Sequence, residues 1–576
     1  MDEGEFMAYF LKKTRTKTDT YLQIYESYYD PARKGGAHRS IRAIGYVKKL
    51  TAQGIDDPIT FFQKEVDEMN AKLKKEKQQA RERQIGEESP ERLLGYFPFK
   101  NINDGLSVKR WIDLMQSVTG FRFNVYDMIA SLIYARVVQP CSKARTYDEV
   151  LPRLYEPVTF SLNQLYDGLE YIGQEYEKII EIYNEAVASK YKMDTAHTYF
   201  DCTNFYFEID REDDFRRKGP SKENRRDPIV GLGLLLDGNQ IPIGMHMYPG
   251  NESEKPVLRQ VIDSLKARNH ITGRTIQVAD KGLNCAENIL HARRDGDGYI
   301  FSKSVKQLPE KEKTWVLLES GYCIVKDKEG KELYRIKECV DEFPYTYVDA
   351  SGKKAKIMLT EKRVVTSNPQ LAKKKLYEID RQVEKARKLC AASAKRDEFG
   401  DSAKYVYFQT ADKTGKATNG KVTVSLNEDA VLDDKRLAGY NLIVTSETQM
   451  PASQIYAAYH NLWRIEESFR VMKSQLDARP VFLQKVDTIK GHFLICYLSV
   501  LLLRLFQFKI LDNQYCTDDI IAFVRDFRIV KISDRKAINM ARSSPFISSF
   551  AASSKLKLTA YFLLDSDIRK MLSHRF

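Results

Sequence analysis

HTYFDCTNFYFEID, residues 197–210, is an apolar and aromatic strand in which Asp201 follows the pair Tyr199-Phe200, and the elements after it decide the fold. PIVGLGLLLDG (228–238) and QIPIGMHMYPG (240–250) are two more β-type runs separated by turn residues, which together with the first make a meander. KPVLRQVIDSLKAR (255–268) has helical spacing, and TIQVAD (275–280) is a fourth strand closing on Asp280. GYIFSKSV (298–305) supplies a fifth.

Three strands, a helix and a strand are the first half of an RNase H-like sheet, with one acid on its first strand and one ending its fourth. The helix that should follow the fifth strand is missing. In its place lie mixed β signals (WVLLES, YCIVKD, LYRIKE, KIMLTEKRVV), a charged helix after Asn368-Pro369, and the runs YVYFQT and KVTVSL. Core-like patterning resumes at Leu442–Thr445 and from Ala452 onward. The expected fold is therefore α/β in class, an α+β multidomain chain whose RNase H-like core (196–305 and 441–512) is interrupted by a β-rich insertion domain with one charged helix (306–440). Upstream, residues 1–90 read as a basic β-hairpin (20–28 with 38–47) plus a helix carrying Phe62, Val66, Met69 and Leu73, and 91–195 as a helical domain. The remainder, 513–576, reads as a C-terminal helical region.

Composition narrows the function. Of 576 residues, 92 are Lys or Arg and 79 Asp or Glu, a net charge of +13, and Leu11–Leu50 alone holds ten basic against three acidic residues. A polyanionic partner is the economical reading. The eight cysteines form no C-x-x-C pair, so neither a zinc ribbon nor a disulfide framework is indicated, and a reducing cytoplasm fits. MDEGEF opens the chain without an apolar stretch, so no signal peptide is expected, and the apolar run Phe493–Leu503 falls short of the ~20 residues a membrane span needs. It reads as a buried helix, and no membrane partner is expected.

A third acid lies in YHNLWRIEESFRVMK, residues 459–473. At about 100° per residue, Glu466, Arg470 and Lys473 share one narrow helix face, while Glu467 points elsewhere. The seam Ile455, Tyr459, Leu462, Ile465, Phe469, Met472 and Leu476 packs this helix on the sheet, and Glu466 borders it. Two acids at strand ends and one on a helix form a ligand set for a pair of Mg²⁺ ions, which take oxygen donors and would act on phosphodiesters. That chemistry belongs to a nuclease or polynucleotidyl transferase. The bland alternatives are a turn-capping Asp201, a helix N-cap at Asp280 and a surface Glu466–Arg470 ion pair.

At these motifs (YFDCTNFYFE, GPSKENRRD, GMHMYPGNESE, VADKG and YHNLWRIEESFRVMKSQ) the chain resembles a DDE transposase of the IS4-like superfamily, closest to the IS1634 type. The resemblance extends over about residues 196–512, with Tyr459, Glu466 and Lys473 at the places of the family's signature Tyr, Glu and Lys. Where the family often has an arginine, this sequence has Leu462, with Arg464 two positions on. The resemblance implies Asp201, Asp280 and Glu466 as catalytic, metal-binding acids. It further implies two-ion Mg²⁺ catalysis, with Mn²⁺ as a substitute, cleavage at terminal inverted repeats and attack of the freed 3′-hydroxyl on target DNA within a nucleoprotein dimer. The alternatives are an RNase H-fold nuclease without strand transfer, or a DNA-bound protein with an inactive core.

Phosphate contacts are expected from cations. Tyr459, Arg470 and Lys473 lie next to the third acid. Arg216, Arg217, Lys218, Lys222, Arg225 and Arg226 crowd the connection between the first two core strands, though acids dilute that loop. Arg33, Lys34, Arg39 and Arg42 cluster at the N-terminal hairpin, and terminal-repeat recognition is assigned to 1–195.

Overall fold

The computed structural model describes residues 8–30, 35–81, 89–222, 226–267, 273–349, 351–391, 396–409, 423–533 and 535–576. Two compact units divide the chain, Met1–Ser89 and Pro90–Phe576. In the first, β1 (Ala8–Arg15), β2 (Thr20–Asp30) and β3 (Gly35–Tyr46) form an antiparallel sheet. The expected hairpin is the β2–β3 pair. The first strand adds to it, its short apolar alternation masked in the sequence by Lys12, Lys13 and Arg15. Leu11, Leu22 and Ile24 are buried with Leu50 and with Phe62 and Val66 of helix α1 (Pro58–Arg81).

The second unit opens on β4 (Glu91–Leu93), followed by α2 (Val125–Val138) and α3 (Leu162–Gln174). Next come the meander β5 (His197–Tyr206), β6 (Ile229–Leu236) and β7 (Pro242–Pro249), then α4 (Glu254–Ala267), β8 (Ile276–Ala279), α5 (Ala286–Arg294) and β9 (Gly298–Lys303). Beyond α6 (Glu310–Leu317) lie β10 (Cys323–Lys326), β11 (Glu332–Val348), β12 (Lys354–Ser367), α7 (Pro369–Ala391), β13 (Val406–Gln409) and β14 (Thr423–Leu426). The chain continues through β15 (Tyr440–Thr445), α8 (Ala452–His460), α9 (Trp463–Arg470) and α10 (Val486–Leu505), and β16 (Arg528–Ser533), β17 (Lys536–Asn539) and β18 (Phe562–Leu564) lie near its end.

One sheet organises this unit, in the order β10-β11-β12-β15-β9-β8-β5-β6-β7. Strands β5, β8 and β9 run parallel, and every other neighbouring pair is antiparallel. Strand β6, IVGLGLLL, is buried at every position, as a strand covered on both faces must be. Its even-numbered residues Val230, Leu232, Leu234 and Leu236 join the cluster that contains α10, whereas Leu235 joins the opposite one with Val257 and Ile262 of α4. Gly231 and Gly233 also face that opposite side, where the rings of Tyr248 and Phe200 occupy the space a side chain would need. Helix α10 is apolar all round and, although long enough to cross a membrane, is buried.

Four expectations change. The stretch 306–440 does not form a separate β domain throughout: β10, β11 and β12 extend the central sheet beyond β15, and the local cluster around Ile379, Val383, Tyr405 and Val431 lies with α7. WVLLES, read as β, begins inside helix α6, whose Pro309 and acidic first turn start a helix better than a strand. The region 513–576, read as helical, holds three strands, and β16 pairs with β4, so both ends of this unit share a four-stranded sheet. Likewise the helices of 91–195 share one apolar core with α10.

Helices α3 and α10 meet through glycines: a Cβ at Gly173 would overlap the Asp487 carbonyl and one at Gly491 the Leu169 carbonyl. Gly491→Ala is therefore predicted to destabilise the protein by about 1–3 kcal/mol, measured by urea or thermal denaturation, despite alanine's better helix propensity.

Candidate active site

The parallel register of β5 on β8 builds the site. Phe200 pairs with Ala279, so the next residues along the two strands are Asp201 and Asp280. Alternation gives their facing: Tyr199 and Phe205 of β5, and Ile276 and Val278 of β8, belong to the cluster that holds Ile455, Ile465 and Phe469. Both acids share that parity, so both lie on the face covered by α8 and α9, the helices around Glu466.

Asp201 is poorly hydrated. Burial above all, with Glu254 and Asp280 adding to it, raises its carboxyl to about 6 against the pull of Lys222 and of the Cys202 N–H (2.8 Å). The Lys222 ammonium lies 3.9 Å from Asp201 and 3.4 Å from Glu254 Oε1, and it also donates to the Cys202 carbonyl. Burial works against this ammonium, yet the two carboxylates hold its pKa above the ordinary lysine range. One basic residue from the β5–β6 connection thus answers several acids. Glu254 was missed in the sequence; the only signal was its place in GNESE at the start of a helix.

On the other side, the Tyr459 hydroxyl donates to Asp280 Oδ1 at 3.0 Å. Burial first, then the Asp280 carboxylate, raises this phenol's pKa, and the charge of Glu466 adds to the rise. Tyr459 therefore binds the second acid and feels the charge of the third. Glu466 itself is exposed in the first turn of α9. Its neighbour Glu467 is buried: Thr517 Oγ1 donates to Oε1 at 3.0 Å, and Oε2 lies 3.4 Å from Arg504 of α10. Arg504 also donates to Ser468 (3.2 Å), Gln507 (2.6 Å) and Thr517 (3.2 Å). This polar knot fixes which way α9 faces.

The single helix expected over 452–476 is three pieces. Asn461 and Leu462 form a turn between α8 and α9, and Val471–Gln475 is a π-helical turn, so Lys473 departs from the direction an uninterrupted α-helix gives it. Its ammonium lies 5.4 Å from the ring centre of Phe205 on β5, while Arg470 is exposed.

The expected phosphate-binding loop is largely neutralised by its own acids. Arg216 binds Asp213 at 2.6 Å and is mostly buried, and Arg217 binds Asp214 at 3.0 Å. Lys218 and Arg226 are exposed, and Arg225 lies outside the described residues. In the N-terminal unit Arg39 pairs with Glu26 (2.8 Å) and Arg42 with Glu65 (2.7 Å); Arg33 and Lys34 lie outside the described residues.

A family model described as "Transposase DDE domain" matches residues 197–502, more than half of the chain. The chain belongs to the transposase DDE domain family. No curated protein matches it. A transposase DDE domain acts on DNA and uses divalent metals. The donors here fit such an ion in kind, since Asp201, Asp280 and Glu254 are oxygen ligands whose mutual repulsion is answered by one ammonium. Among the described residues one cluster of three donors closes to within 4.8 Å, but it is Asp263, His291 and Asp295, on α4 and at the end of α5. Asp263 lies nine residues along α4 from Glu254, roughly 13 Å of helix rise, so that cluster is separate from Glu254 and the Asp201 carboxylate beside it.

Two outcomes follow. A carboxyl raised to about 6 keeps a proton that the unfolded chain has lost, so its contribution to stability is full below about pH 4 and is lost as pH rises through 6. Asp201→Asn should be more stable than the parent at pH 8 without metal, by at most about 3 kcal/mol, and equally stable near pH 4, as read by thermal melts across pH. Tyr459→Phe should leave the fold intact but raise the Mg²⁺ concentration needed for half-maximal cleavage about tenfold, in a metal titration of the cleavage rate.

Proposed function

We propose that this protein is the DNA transposase of an insertion sequence in the IS4-like superfamily, of the IS1634 type, cutting at terminal inverted repeats and joining the freed 3′-hydroxyl to target DNA. The observation that carries this reading is the β5–β8 register, which sets Asp201 beside Asp280 on the sheet face covered by α8 and α9. The run β9-β8-β5-β6-β7, parallel in its first three strands and antiparallel after, supports an RNase H-like core.

In this reading Asp201, Asp280 and Glu466 hold two Mg²⁺ ions, with Mn²⁺ as a substitute, and Glu254 is a further donor beside Asp201. When bound, the ions supply an activated oxygen nucleophile and a stabilised leaving oxygen. Asp201 must be ionised to serve, and because burial raises its carboxyl to about 6, cation binding releases a proton from it when the pH is at or below that value, so binding and deprotonation are linked there. Lys222 provides that charge in part and keeps Asp201 and Glu254 from driving each other apart. Tyr459 orients Asp280 through its hydrogen bond. The buried Glu467–Arg504 pair positions the helix from which Glu466 projects. Arg470 and Lys473, beyond Glu466, contact the phosphates of the cut strand, residues 1–195 read the repeat, and two chains act together in the nucleoprotein complex.

The test is Mg²⁺-dependent cleavage and joining of terminal-repeat DNA by Asp201→Asn, Asp280→Asn and Glu466→Gln. Each is expected to lose more than about a hundredfold in rate while still binding DNA; full activity in any one removes that residue from the mechanism. Strand-transfer products are expected from the parent, and cutting without joining would make it a nuclease instead.

A further inference from the structure

Behind the loop that follows Lys473 lies a cavity of about 360 Å³, open to the surface, whose wall carries Arg136 from α2, Lys143, and His492 from α10. Arg136 and Lys143 are 4% and 5% exposed. Their bonds are all to neutral groups: Arg136 donates to the Leu476 carbonyl at 3.4 Å, and Lys143 Nζ lies 3.0 Å from His492 Nδ1. Among the described residues no carboxylate pairs with either cation. Asp477, which also lines the cavity, is exposed and does not figure among the charges acting on Lys143.

Holding both side chains charged here without a counter-charge would cost several kcal/mol of desolvation, a cost that an entering anion would offset. Burial, reinforced by Arg136, holds Lys143 well below the ordinary lysine range, and burial does the same to His492. The wall would therefore take up charge as an anion enters. Its position says which anion. The cavity is closed on one side by residues 480–483, and the same loop places Arg479 over the Tyr206 ring (5.2 Å) and binds Arg216 through the Leu483 carbonyl (3.4 Å). Tyr206 lies five residues beyond Asp201 along β5, about 16 Å. The loop that walls the cavity thus also reaches the far end of the strand that carries the first acid.

We propose that this cavity is a phosphate-binding site, seating one backbone phosphate of the DNA between Arg136 and Lys143, beyond the acids and separate from the cations expected from the sequence. The site rests on DNA as the substrate and not on the assignment of Asp201, Asp280 and Glu466.

The experiment uses the full chain carrying Asp201→Asn, which blocks cutting, and a labelled terminal-repeat duplex whose affinity is followed against salt. Lys143→Met is expected to weaken binding and to lower the slope of log affinity on log salt by about one, with Lys143→Arg retaining the slope. Ser142→Asp is the second variant. Ser142 caps the helix that begins at Lys143 by accepting from the Arg145 N–H, a role Asp fills equally well, and the new carboxylate competes for the cavity's cations. It should weaken DNA binding without lowering the melting temperature. Inorganic phosphate, at ionic strength matched with chloride, should stabilise the parent saturably and Lys143→Met far less. Unchanged affinity and slope in folded Ser142→Asp and Lys143→Met would overturn the proposal. Stabilisation by inorganic phosphate with DNA binding untouched would mean a free phosphate occupies the cavity and would overturn the DNA assignment. Loss of cleavage in Asp201→Asn with this slope change intact keeps the two readings apart.

Discussion

Two adjacent parallel strands, roughly 4.8 Å apart, are the constraint on which the site depends. Their hydrogen-bonded register pairs Phe200 with Ala279 and so commits Asp201 and Asp280 to neighbouring positions whatever their charges prefer. Left alone, two carboxylates so placed repel each other in a poorly hydrated setting; the raised proton affinity of Asp201 comes first from its burial, with Glu254 and Asp280 adding to it. The sheet supplies the rigidity that the repulsion works against, through strands buried on both faces and glycines that let Tyr248 and Phe200 pack flush against β6.

Glu466 needs a different kind of support, because its helix touches the sheet only through an apolar seam, which fixes contact but not rotation. Rotation is set by the next residue. Glu467 turns inward to Arg504, and Arg504 is tied in turn to Ser468, Gln507 and Thr517. Breaking one partner of such a buried pair leaves a stranded charge, so the pair behaves as a latch between α9 and α10. Adjacent glutamates therefore take opposite places, one exposed to solvent and one sunk in the scaffold.

What was legible in the sequence was local. The order of strands and helix from β5 to β9, the neighbouring places of Asp201 and Asp280, and an exposed Glu466 beside a buried Glu467 agree with periodicities of two and 3.6. Pairings that close over long stretches of chain left no such trace. Nothing in the sequence near Glu254 announces Lys222, nothing near Glu467 announces Arg504, and the union of β4 with β16 joins residues more than four hundred positions apart. The basic connection after β5 misled for the converse reason: Asp213 and Asp214 sit three residues before Arg216 and Arg217 and take up their charge. The 100° wheel failed at Asn461–Leu462 and again in the π turn, where backbone geometry leaves the α-helical period.

The excursion between β9 and β15 has a consequence in time. Thermodynamically it is tolerable, since each doubling of a loop adds only about 0.6 kcal/mol of closure entropy. On the ribosome, however, the strands bearing both aspartates emerge well before α9 and α10, and at about 5–20 residues per second the gap amounts to roughly ten to forty seconds. Throughout that interval the nascent polypeptide displays both aspartates while the α10 side of its sheet lies bare. The sheet is covered on that side only once α9 and α10 have been made.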